Sequence, residues 1–174
     1  MAKIPYSKLN LKINTDVSTF SFNGFEIEIK EYLPLEEKLN IITNILNNSV
    51  NDKGYYNVGQ LQMFTELEII FNYTNITFTE KQKENITKLY DILSSSGLIA
   101  IVLNNLESEE YTFIYNTTKA QIENIYKYRN SVVGVLDTIS TDYSNLNLDI
   151  AELQKKLANG ENIELVKEIM DKLG

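Results

Sequence analysis

The feature that most constrains this chain is a turn. Asn23-Gly24 separates two alternating runs, Val17-Ser18-Thr19-Phe20-Ser21-Phe22 and Phe25-Glu26-Ile27-Glu28-Ile29-Lys30. Asn and Gly both tolerate the positive φ of a type I′ turn, and the twist of that turn matches paired strands. The segment therefore predicts a β-hairpin over 17–30 with a two-residue loop. In that register Phe22 faces Phe25 and Phe20 faces Ile27, which gathers four large side chains on one face. A lone hairpin is marginal in water, so the face demands a cover from the rest of the chain. Upstream, Leu9, Leu11 and Ile13 alternate with Lys8, Asn10 and Lys12, which predicts a further strand.

The cover is helical. Pro34 suits a first helical turn, where its missing N–H costs nothing. Leu35, Leu39, Ile42 and Leu46 then recur at helical spacing, with Ile41 and Ile45 widening the stripe. After a break over Asn47 to Asn57, Val58 to Tyr73 is apolar on more than one side and predicts a central buried helix. Thr79 with Gln82 forms a capping box that opens the next helix. Ile86, Leu89, Tyr90 and Leu93 are its inner stripe, and Ser94-Ser95-Ser96-Gly97 ends it. Leu98 to Leu103 fits a helix or a buried strand, and its neighbours favour helix.

From Ser108, an N-cap followed by Glu109 and Glu110, apolar positions step by four and three. The seam runs Tyr111, Tyr115, Ile122, Ile125, Val132, Leu136, Ile139, Tyr143, Leu146, Ile150, Leu153 and Leu157, with Thr118 and Arg129 as exceptions. Gly134 and Ser140-Thr141-Asp142 weaken its middle, which leaves one long helix, two helices end to end and a helical hairpin all open. The predicted class is α+β, mostly α: an N-terminal β-hairpin or three-stranded sheet packed on a helical bundle, then a long C-terminal helix or helical hairpin. A globular domain is expected over 1–140, with the hairpin at 17–30 and helices over 34–139, and a helical arm over 141–174. The first half of the seam can fill the core, so the second half is free for a partner helix or a second copy of the chain. Tyr143, Leu146, Ile150, Leu153 and Leu157 are thus candidate interface residues, together with Tyr55 and Tyr56 in a predicted loop.

Composition narrows the chemistry. The chain has 174 residues, neither cysteine nor histidine, and a formal charge of −8. Disulfides, thiolate metal sites, imidazole ligands and the commonest general acid–base are thereby removed. Neither a phosphate-binding glycine loop nor a nucleophile elbow occurs. Glu36-Glu37, Glu66 with Glu68, and Glu107-Glu109-Glu110 read as helix starts or exposed faces. The expectation is a protein that is not an enzyme, with no cofactor and no metal. An acidic surface whose single arginine is Arg129 disfavours nucleic acid. No apolar run approaches the ~20 residues of a membrane span, so no membrane partner is expected. Met1 to Ser7 lacks the apolar stretch of a secretion signal, so the chain is expected not to be secreted.

Three segments carry a family resemblance: Phe20 to Pro34 (FSFNGFEIEIKEYLP), Tyr73 to Lys83 (YTNITFTEKQK) and Lys88 to Ile99 (KLYDILSSSGLI). Together they resemble a protein family of tailed phages and prophages of low-GC Gram-positive bacteria, over residues 5–135. The hairpin pattern F-x-F-N-G-x-E-I followed by helices is also similar to phage tail assembly chaperones. The resemblance implies a gene of the virion structure or assembly module, acting by protein–protein contact on phage structural proteins, in the host cytoplasm or the virion. It carries no catalytic residues. A different class, a small acidic inhibitor or decoy of a host defence protein, also fits the charge.

Overall fold

The computed structural model describes residues 3–51, 55–131 and 133–135. Strand β1 (Val17–Phe22) pairs antiparallel with β2 (Phe25–Lys30) in the register the turn predicts, Phe22 with Phe25 and Phe20 with Ile27. Asn23 at φ 51° and Gly24 at φ 83° supply the left-handed pair the turn requires. Phe20, Phe22 and Ile27 turn inward and are partly buried, and Ile29 is fully buried. Phe25, at the tip, is 73 % exposed, so the covered face is narrower than the four side chains expected.

The expected third strand is absent. After a 3-10 turn (Tyr6–Lys8), Asn10 adopts φ 48° and interrupts the extended run. Leu9, Leu11 and Ile13 consequently stay exposed. The outer edge of β2 is bonded instead by Asn75. Its N–H donates to the Glu28 carbonyl at 3.3 Å, and its side-chain oxygen accepts the Glu28 N–H at 3.2 Å. One asparagine, through its backbone N–H and its side-chain oxygen, thus stands in for a strand, and a bridge between Ile29 and Thr74 adjoins it.

Six helices follow among the described residues: α1 (Leu35–Ser49), α2 (Val58–Tyr73), α3 (Glu80–Lys83), α4 (Ile86–Ser95), α5 (Leu98–Asn105) and α6 (Ser108–Arg129). Asn57 caps α2 by accepting from the N–H groups of Gly59 and Gln60. Helix α2 is the expected centre: Leu67, Ile69, Ile70 and Tyr73 are wholly inaccessible, and they lie on several sides of it. The Thr79–Gln82 capping box forms, yet it opens only a single turn. Asn85, capping Lys88, starts α4 separately. Gly97 at φ 80° turns the chain into α5, whose Leu98, Ile99 and Val102 are buried, so the ambiguous apolar run is helix. The protein is α+β, mostly α, with its core between the hairpin's inner face and the helices.

The chain divides into two compact units, Met1–Ile122 and Glu123–Gly174. The expected domain limit at 140 and the arm over 141–174 lie outside the described residues. Within the second unit α6 ends at Arg129. Ser131 then bonds back to the Tyr128 carbonyl, and the Gly134 N–H donates to the Ser131 hydroxyl at 3.1 Å. A Cβ on Gly134 would sit 2.2 Å from the Tyr128 carbonyl oxygen, so the close return admits only glycine. An unbroken helix through the whole seam is therefore ruled out at Asn130-Ser131, ahead of the glycine expected to weaken it. No single helix among the described residues is long and apolar enough to cross a membrane. Helices α4 and α5 reach that hydropathy only as a pair, bent by 75°.

Candidate functional site

Helix α1 buries Ile41, Ile42 and Ile45 of the stripe its spacing suggests and half-buries Leu46, but leaves its first two leucines outside. Its inward residues are Lys38, Ile41, Ile42, Ile45 and Ser49, while Leu35 and Leu39 face solvent. The buried side extends to Lys38, where α6 presents a counter-charge. Glu110, expected among the exposed acids at the start of α6, is 6 % exposed, as is Lys38. The Lys38 ammonium lies 2.5 Å from one Glu110 oxygen. The other oxygen accepts the Leu33 N–H at 3.1 Å and the Tyr73 hydroxyl at 2.8 Å. One carboxylate thereby joins the end of the hairpin segment, α1, α2 and α6. A buried ion pair of this kind holds only with its remaining lone pairs satisfied, and here they are.

Aromatic rings close over the cation. Lys38 Nζ lies 4.2 Å from the centre of the Tyr32 ring and 5.3 Å from that of Phe113, within cation–π range. Both rings keep an exposed face. Tyr32 also lines, with Tyr6, Leu11, Ile13, Lys12 and Asn14, an open depression of about 420 Å³. Leu11 and Ile13 are 64 % and 67 % exposed. The result is an apolar and aromatic surface fixed from beneath by an ionic lock. Apolar surface gathered in this way marks a contact site more often than scattered exposed residues do.

A second buried acid lies elsewhere. Glu66 on α2, also expected to be exposed, accepts Gln62 Nε2 at 2.9 Å and the Tyr90 hydroxyl at 2.9 Å. Burial and the bond to Glu66 push the Tyr90 phenol above its ordinary value; burial, then the Glu66 charge, do the same to Tyr111. The Tyr73 hydroxyl is raised further, by burial first and then by its bond to the Glu110 carboxylate. Glu68 is raised by burial despite the amides of Asn44 and Asn72. Both buried acids are already engaged by protein groups, Glu110 by a cation and Glu66 by neutral donors. They hold elements together rather than converge on an open site. Among the described residues no group of three or more acidic side chains is placed to hold a metal ion.

Tyr55 and Tyr56 are 64 % and 45 % exposed and rim an open depression of about 280 Å³ with Asn48, Asn51 and Asn57. The backbone of Tyr55 is tied to Asn51 at 2.9 Å and 3.0 Å, which anchors the two rings beside the end of α1. Tyr143, Leu146, Ile150, Leu153 and Leu157 lie outside the described residues. In the described part of the seam, Tyr111 and Tyr115 are half-buried and stack on each other at 5.9 Å, while Thr118 and Ile122 are buried. Ile114, which the seam omits, is wholly inaccessible, so the buried line is Glu110, Ile114, Thr118, Ile122. That four-residue spacing, headed by an acid, was the sequence signal for a buried charge, as was Lys38 beside Ile41 and Ile42.

No family model, curated protein or solved structure matches this chain.

Proposed function

We propose that the protein is a non-enzymatic phage protein that acts by protein–protein contact in virion structure or assembly, in the form of a tail assembly chaperone. The observation that carries the reading is the aromatic surface of Tyr6, Tyr32 and Phe113, backed by the Lys38–Glu110 pair. A chaperone of this kind shields an aggregation-prone virion component, and that task calls for an exposed apolar face on a fold that stays intact while the face is empty. The net charge of −8 keeps such a protein soluble. The resemblance of the hairpin and the segments after it to the phage family supplies the class of partner.

The test is co-expression of the tagged protein with the tail-tube and tape-measure proteins of the same phage. The expected outcome is a co-purifying virion component, lost when Tyr6 and Phe113 are both changed to serine. These two side chains are exposed, so the double variant keeps its far-UV circular dichroism. Undiminished binding by that variant, or recovery of a host nuclease in place of a virion protein, refutes the proposal; the second result supports an acidic inhibitor.

A further inference from the structure

Strand β1 has one edge paired and one edge open. Both backbone groups of Glu28 bond outward to Asn75, so Glu28 and the facing Thr19 form a pair that exchanges no backbone bonds. Thr19 therefore directs its N–H and C=O away from β2, and by alternation Val17 and Ser21 do the same. Edge strands are ordinarily blunted by lysine, proline or a bulge. Val17–Phe22 has none of these, whereas Asn75 bonds the opposite edge of the sheet.

The same chain carries a segment with the period of a strand that is not paired as one. Leu9, Leu11 and Ile13 alternate with Lys8, Asn10 and Lys12 and are exposed. This arm does not fold back on its own β1. The Glu31 N–H donates to the Asp16 carbonyl at 3.0 Å, and Asn14 reaches the Glu31 carboxylate at 3.4 Å. Residues 14–16 thus continue past the end of the ladder, and Leu11 and Ile13 line the depression beside Tyr32.

We propose that residues 9–13 of a second copy of this chain add as a strand to the open edge of β1, completing in trans the three-stranded sheet that the single chain leaves unfinished. Lengths agree: five extended residues span about 17 Å against about 20 Å for β1. Faces agree too. With Leu9, Leu11 and Ile13 beside Phe20 and Phe22, Lys12 falls on the outer face with Thr19 and Ser21. There it looks across those short side chains to Glu26 and Glu28, about 10 Å away, which brings opposite charges together on an otherwise acidic molecule. Each chain offers one arm and one edge, so two copies exchanging arms satisfy both, the isologous arrangement commonest among dimers. Pairing draws Asn10 out of its left-handed conformation, a change asparagine makes more readily than most residues.

Sedimentation equilibrium of the full chain tests this. The wild type is expected to dimerise. Thr19→Pro removes only the outward N–H and leaves the β1–β2 bonds in place; it is expected to raise the dissociation constant at least about tenfold, as is Leu11→Lys. Asn10→Val, which disfavours the left-handed conformer, is expected to tighten the dimer. Because the chain lacks cysteine, mixing Asn10→Cys and Ser21→Cys proteins with a short bismaleimide should yield a mixed cross-linked dimer. A monomeric wild type, Thr19→Pro and Leu11→Lys variants that associate as tightly as wild type, or failure of the mixed cross-link overturns the proposal.

Discussion

Replacing Glu110 by glutamine isolates the ionic lock at its centre. The amide keeps the volume and one carbonyl oxygen for the Tyr73 hydroxyl or the Leu33 N–H, but removes the charge 2.5 Å from Lys38. Removing one partner of a buried pair costs about 3–5 kcal/mol, because the remaining charge is left uncompensated in a poorly solvated place. The Tyr32 and Phe113 rings offset about 1 kcal/mol of that through their contact with the ammonium. The expected loss is thus about 3 kcal/mol, a large share of the ~5–15 kcal/mol that holds a domain together. At about 2–4 °C per kcal/mol for a chain of this size, the melting temperature falls by about 6–12 °C. Urea unfolding followed by circular dichroism reads the same loss as a lower midpoint at unchanged slope. Adding Lys38→Met to Glu110→Gln removes the stranded cation and should restore at least about 2 kcal/mol, since apolar replacement of a buried pair is often neutral or better. The cost should also be the same at low and high salt, because a buried pair is little screened. A Glu110→Gln protein within about 0.5 kcal/mol of wild type, or a double variant no more stable than the single one, would refute the reasoning.

Other expectations follow from the remaining polar groups. Glu68 has its carboxyl raised by burial, so its folded form favours the proton. The associated stability is present in acid and lost as pH rises through the folded value. Glu68→Gln should therefore stabilise the protein at neutral pH, with the advantage vanishing below about pH 4 in urea titrations. Tyr73, Tyr90 and Tyr111 are all raised, chiefly by burial. The unfolded chain releases these protons first, so stability holds below about pH 10 and falls as pH climbs further. Urea midpoints measured from about pH 8 to about pH 11 should show that decline, less steep in Tyr90→Phe. Asn57→Ala leaves the N–H groups of Gly59 and Gln60 without their cap and should cost about 1 kcal/mol in the same assay.

The hairpin was legible because every requirement of its turn is local. Asn23 and Gly24 supply the positive φ, and the alternation of Phe20, Phe22 and Ile27 sets the register without reference to anything distant. The same holds for the cap at Thr79 and for the limits of α2. The arm was misread for an instructive reason. Leu9, Leu11 and Ile13 have the period of a strand, but a strand needs a neighbour, and the neighbour is not part of the local sequence. Asn10 took a left-handed conformation and the β2 edge went to Asn75, sixty-odd residues downstream.

What the sequence by itself determined was therefore the set of elements, their turns and the absence of thiol and imidazole chemistry. All of these are properties of near neighbours or of composition. What only the tertiary structure decided was rotation and pairing: which side of α1 and α6 faces inward, and so the burial of Lys38 and Glu110 and the exposure of Leu35 and Leu39. An apolar stripe specifies a helix face only to within a residue or so on either flank. A charged residue on that flank is admitted to the interior when the opposite charge arrives from another element, here from seventy-two positions away. That energy belongs to the pair and to no segment of the chain on its own.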